Sequence, residues 1–218
     1  KLARGSLELT KTVNSLEIVE KQVVFGLYEL PDKPGIAAQI FEELSKARIN
    51  VDLIIQATRE KHSNDITFTI SEKFLEKTKE QCDLIISQIG GKYSITQNMT
   101  KLSIQGAGIM GRPSISAEFF DTLSKANINV RLIATSEIKV SCVIDLKDIA
   151  KAIRFVGEKF KLSTKQIFIN PISEIKDKPE VRGIALDKNQ VQVSFRNLPD
   201  KPGVAASICL ALAEANLI

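Results

Sequence analysis

The hexapeptides Leu30-Pro31-Asp32-Lys33-Pro34-Gly35 and Leu198-Pro199-Asp200-Lys201-Pro202-Gly203 are identical letter for letter. Each runs into Ala-Ala and an apolar stripe at helical spacing. Proline and glycine make a turn, and a helix that opens directly after it leaves its first amide N–H groups without intrahelical acceptors. Those donors, with the positive end of the helix dipole, hold a small anion without any reactive side chain. Asp32 and Asp200 place one carboxylate in each turn. A plainer role for such an aspartate is to cap the helix, and the spacing alone allows both.

A second stretch has chemical promise. Gly106-Ala107-Gly108-Ile109-Met110-Gly111 reads G-x-G-x-x-G, after a strand-like run and before a helical one, the setting of a dinucleotide site. That fold needs a crossover helix between parallel strands. Here the strand ending at Ile138 turns straight into the one at Val140, which is a hairpin and excludes it. No G-x-x-x-x-G-K-[ST] loop and no G-x-S-x-G elbow are present, and the lone His62 sits in a polar turn, so no acid–base or nucleophilic constellation emerges. Cys82, Cys142 and Cys209 are widely spaced on apolar sides of their elements, which predicts reduced core thiols and no metal site.

The elements around the turns repeat. Val23 to Tyr28 is strand-like, Ile36, Ile40, Phe41, Leu44 and Ala47 form a helical stripe, and Asn50 to Ile55 is a strand. Ile66, Phe68 and Ile70 alternate as the second arm of a hairpin. Phe74 to Ile89 is a second helix closed by Gly90-Gly91, and Lys92 to Thr96 a last strand. The order is βαββαβ. Pro113, Ile115, Phe120, Leu123, Ala126, Ile128 and Asn129 match Pro34, Ile36, Phe41, Leu44, Ala47, Ile49 and Asn50 at a constant offset of 79, and a third copy starts at an offset of 168. Expected boundaries are a linker at 1–14, modules at 23–98 and 100–172, and a linker plus the truncated start of a third module at 173–218. Strands at 15–20 and 181–186 are candidates to complete a neighbouring module. The half module is expected to leave its helix face Val204, Ile208, Leu212 poorly covered and the segment poorly ordered.

With a net charge of +4 spread over 218 residues, no dense basic block marks a nucleic-acid or lipid surface. No apolar run approaches the roughly 18 residues of a membrane span. The cytoplasm is the expected compartment. The fold class is α+β, with tandem ferredoxin-like modules whose helices cover one face of antiparallel sheets. A nucleic-acid-binding ferredoxin-like module is a rival, weakened by the scarcity of aromatic residues on the strands.

Leu-Pro-Asp-Lys-Pro-Gly-[IV]-Ala-Ala, Asn50 to Gln56, Asn64 to Phe68, Ser116 to Phe120, Asn129-Val130, Thr135 to Ser141 and Val181 to Lys188 together resemble the regulatory ACT-domain region of aspartate kinases. A full pair followed by the start of another is similar to members with four ACT domains. The resemblance implies feedback control of ATP-dependent L-aspartate phosphorylation, with lysine or threonine as effector between paired ACT domains. It assigns ATP and Mg to an N-terminal kinase domain whose Lys-Phe-Gly-Gly-Thr signature is absent here, so the chain reads as a fragment without cofactor, inactive alone. Expected partners are that kinase domain and a second copy joined through the sheets. In the effector site so implied, Asp32 faces the ammonium group and Pro34, Gly35, Ile36 and Ala37 cradle the carboxylate. Gln56, Asn64, Asp65 and Ile66 lie near the same edge, and Asn129, Val130 and Ser136 close the pocket from the second module. Asp200, Gly203 and Ala205 form a partial third cradle. Gly111-Arg112-Pro113-Ser114 lacks the aspartate and reads as degenerate. ACT modules serving another amino-acid enzyme are the remaining alternative.

Overall fold

The computed structural model describes residues 12–59, 63–112, 114–170, 191, 193, 195 and 198–215. His62 and the strand expected at 181–186 lie outside them, as does the linker expected at 1–14 up to residue 11. Twelve elements follow in order: β1 (Ser15–Pro31), α1 (Ile36–Lys46), β2 (Val51–Arg59), β3 (Ser63–Ser71), α2 (Leu75–Ile89), β4 (Lys92–Gln105), α3 (Ser114–Lys125), β5 (Leu132–Thr135), β6 (Lys139–Asp145), α4 (Ile149–Lys159), β7 (Ile167–Ile169) and α5 (Val204–Glu214). They form one sheet of order β2-β3-β1-β4-β6-β5, with β7 parallel to the start of β1.

The two modules share their long strands. Leu16 and Val23 belong to one continuous β1, which pairs with β4 along nearly its whole length. Leu16 and Ile18 enter one core, but Val23, Phe25 and Leu27 enter the other, so the inward parity changes within the strand. An extra residue near Lys21 (φ 53°) makes the switch, and Asn98 (φ 57°) marks the matching irregularity in β4. One core lies under α1 and α2 around Phe25, Ile40 and Phe68, and the other under α3 and α4 around Leu102, Phe119 and Val156. The expected hairpins are present, β2 with β3 and β5 with β6.

The sheet curls at those bulges. Asp52 on β2 and Lys101 on β4 are separated by two intervening strands, about 14 Å across a flat sheet, yet their side chains form an ion pair, and β2 touches β5. Thr69, Ser103 and Val143, which alternate with core-facing neighbours, are fully buried on the helix-free side. The Ser103 and Ser141 hydroxyls pair there at 2.8 Å. A ferredoxin-like RNA binder uses that surface as a stacking platform, and here the sheet covers it with itself.

α5 packs along α3, where Ala206 is 5% exposed and Ala205 and Cys209 join the second core, while Val204, Ile208 and Leu212, the face expected to be poorly covered, stay partly exposed. A helix that continues an adjacent module's apolar face buries its contact side without a sheet of its own.

Candidate functional site

The repeated turn has the same backbone at both places. Gly35 stands at φ 94°, ψ −15° and Gly203 at φ 96°, ψ −18°, a left-handed conformation that glycine reaches without strain. The first helical bonds run from Gln39 N to Gly35 O and from Ser207 N to Gly203 O, each at 2.9 Å. The amides of Ala37, Ala38, Ala205 and Ala206 therefore precede the helical ladder. Ile36 N is already directed to Lys33 O at 3.4 Å, which narrows the first cradle to the amides that follow it.

Neither aspartate caps its helix; neither α1 nor α5 has a side-chain cap. Each instead accepts a hydrogen bond from an asparagine. Asn64 Nδ2 donates to Asp32 Oδ1 at 2.7 Å, and Asn129 Nδ2 donates to Asp200 Oδ1 at the same distance. The first asparagine comes from β3 of the same module, the second from the residues ahead of β5 in the neighbouring module. Asn64 is 7% exposed, and its buried Oδ1 has no partner among the described residues.

Within this chain the expected site residues fall into separate places. Asn129 and Val130 border Asp200, not Asp32. Ser136 is exposed in the β5–β6 turn, where its amide donates to Lys139 O at 2.7 Å, and it lies away from the cavity beside Asp200. Ile66 is a core residue, 2% exposed, and offers no side chain to a ligand. Asp65 Oδ1 accepts from Glu29 N at 3.2 Å, bracing the irregularity of β1 at that point, and Gln56 is exposed on the sheet edge opposite Ile66.

A cavity of about 340 Å³ opens beside Asp200, walled by Phe120, Ile133, Val204, Ile208 and Cys209 and bounded by Asn129 and Arg131. Volumes from about 300 Å³ are those of small-molecule sites. Arg131 was not singled out in the sequence. Its Nε donates to Asp145 Oδ1 at 3.2 Å and its Nη1 lies 3.7 Å from Asp200 Oδ2, so it is held at the rim between two carboxylates. No local signal marks Arg131 as a site residue, because its link to the cradle runs through Asp200 of another repeat while Asp145 of its own module holds it in place. The site combines open amides, one carboxylate, one guanidinium and an apolar wall, a set suited to the two charged ends of a free amino acid and a modest side chain. Cys209 lies in that wall, and burial pushes its thiol up, as it does for Cys142 and for Cys82, which reaches about 12. Among the described residues, no three His, Cys, Asp or Glu side chains come together as metal ligands, and no helix is long and apolar enough to cross a membrane.

ACT-domain family matches cover residues 27–81 and 102–160. The aspartokinase of Thermus thermophilus is 30% identical over 159 residues, 72% of this chain and 39% of its own length. The chain thus spans well under half of the curated aspartokinases it matches. The crystal structure of aspartate kinase from Synechocystis superposes with a TM-score of 0.88 at 35% identity, over 99% of this chain and 38% of that one. The ligand-free regulatory subunit of aspartate kinase from Thermus thermophilus matches at 31% identity and a TM-score of 0.65, over 69% of this chain and 99% of that subunit. With both modules, their order and the fold in common, this chain belongs to the aspartate kinase family and corresponds to its regulatory ACT-domain part.

Proposed function

We propose that the chain senses a free amino acid on behalf of an aspartate kinase, with the Asp200 cradle as its main site. The observation that carries this reading is the pairing of one repeated turn with one asparagine amide at two places, one of which opens onto a cavity. An effector carboxylate meets the Ala205 amide and the start of α5, and its ammonium group shares Asp200 with Asn129. Lysine and threonine are the effectors proposed, and the Asp32–Asn64 cradle is a second site of the same design. The kinase domain of the same protein is the proposed partner, with ATP and Mg acting there, and a second copy joins through the sheets. Binding inhibits only by favouring one arrangement of the modules over another.

Calorimetric titration of the chain with L-lysine and L-threonine tests this. Binding by either, weakened at least tenfold in Asp200→Asn, supports the reading. No heat with either at millimolar concentration overturns it.

A further inference from the structure

The G-x-G-x-x-G stretch is followed by a hairpin and not by a βαβ crossover, and two of its glycines have a defined neighbour. A Cβ on Gly108 would lie 2.5 Å from Thr12 Cα, and one on Gly106 would collide with the Thr12 carbonyl and stand 2.9 Å from Val13 Cα. Contacts that close tolerate no side chain, so the loop after β4 is shaped to take the backbone of Thr12 to Asn14. Asn14 N donates to Gln105 O at 2.7 Å, and Gln166 Nε2 donates to Asn14 O at 2.9 Å. Arg112 Nη1 donates to Thr12 Oγ1 at 3.0 Å. Val13, 2% exposed, enters the second core with Ile109, Ile115, Phe119 and Ala206. Three residues are thus fastened to three places far apart in sequence.

The strap and the cradle meet on the same helix. Arg112 and Ser114, at the opening of α3, border Thr12, and Ser124, near its end, sits so close to Gly203 that a Cβ there would be 2.9 Å from its Oγ. Phe120, midway along α3, faces the cavity at Asp200. The helix is about 18 Å long and rigid on that scale, and the core it covers runs from Val13 to Ala206 of α5.

We infer that the Gly106–Gly108 loop is a docking seat for the chain's own strap, Thr12 to Asn14, and that α3 couples the strap to the Asp200 cradle. Amino-acid binding at the cradle tightens the strap, and loosening the strap weakens binding, because linkage between two sites is reciprocal. The coupling rests on the function proposed above. The seat does not.

Hydrogen exchange and calorimetry on the 218-residue chain test both parts. In Gly108→Val, exchange of the Val13 and Asn14 amides is expected to speed at least tenfold while the amides of β3 stay unchanged. Affinity for whichever of L-threonine or L-lysine the unmodified chain binds is expected to fall at least fivefold, and a saturating amount should slow the same amides in that chain. Should Gly108→Val also expose β6, Val13→Ala, which acts from the strap side, gives the same readout. Unchanged strap exchange in both variants overturns the seat. A loosened strap with unaltered affinity overturns the coupling, as does an unmodified chain that binds neither amino acid, a result that removes the sensing function while the strap's exchange still decides the seat.

Discussion

The side-chain amide of Asn129 donates to a carboxylate oxygen of Asp200 at 2.7 Å, joining residues 71 positions apart in two repeats. The pair is exposed to solvent, so it contributes about 1 kcal/mol or less, and it ties the turn before α5 to the second module. Asn129→Ala is expected to weaken amino-acid binding roughly tenfold and to increase exchange in α5, with β3 unaffected. Titration and exchange on the same variant check it; equal affinity would mean that the pair only shapes the fold.

The two equivalent glycines should answer differently to one substitution. Around Gly35 nothing lies within 4 Å of a new Cβ, so Gly35→Ala costs only the left-handed backbone, about 1–2 kcal/mol. At Gly203 the same methyl also meets Ser124 Oγ. Gly203→Ala is expected to cost slightly more than Gly35→Ala, because Ser124 Oγ must also turn aside, and Ser124→Gly in the same chain should remove that difference, read by urea unfolding.

Cys209 offers a chemical readout of the cavity. It is half-buried while Cys82 and Cys142 are buried, and burial raises all three thiols, so less thiolate is present near neutral pH than in a free cysteine. Iodoacetamide should label Cys209 first, faster as pH rises, and a bound amino acid should slow it several-fold. Peptide mass mapping measures this; labelling of Cys142 ahead of Cys209 would contradict the packing described.

The ion pair of Lys101 with Asp52 closes the curl of the sheet. Lys101 is mostly covered and Asp52 more open, so the expected coupling is modest, about 1–2 kcal/mol in a double-mutant cycle of Lys101→Met with Asp52→Asn by urea unfolding. Zero coupling would assign the curl to the buried hydroxyl layer alone.

Tyr93 gives an alkaline signature. Its hydroxyl donates to Asp83 at 2.7 Å, and that bond first, then burial, pushes it up to about 12. A raised phenol stabilises the fold while protonated, an advantage complete below the ordinary value of 10 and lost as pH climbs to about 12. Stability should fall across that window in the unmodified chain and less in Tyr93→Phe.

Much of the fold was legible because its signals are local. Ile66, Phe68 and Ile70 alternate, Ile36, Ile40 and Leu44 recur at helical spacing, and the offset of 79 carries one module onto the next. The continuity of β1 was not legible. Lys21 and Glu20 interrupt the apolar pattern between Val19 and Val23 and read as a break, whereas the chain accommodates them in a bulge of one long strand. The glycines of residues 106–111 match a ligand-binding pattern that the hairpin excludes, and their real purpose was not legible because the pattern records small size without saying what approaches; a segment of the chain itself does.

The sequence by itself determined the turns, the repeats and the chemistry of their openings, since proline, glycine and hydrophobic period act within a few residues of themselves. Which asparagine reaches which aspartate was decided only by tertiary structure. Asn64 reaches Asp32 because β3 pairs with β1 at Leu30, and Asn129 reaches Asp200 because α5 docks on α3, a contact between distant apolar faces that no short-range pattern encodes.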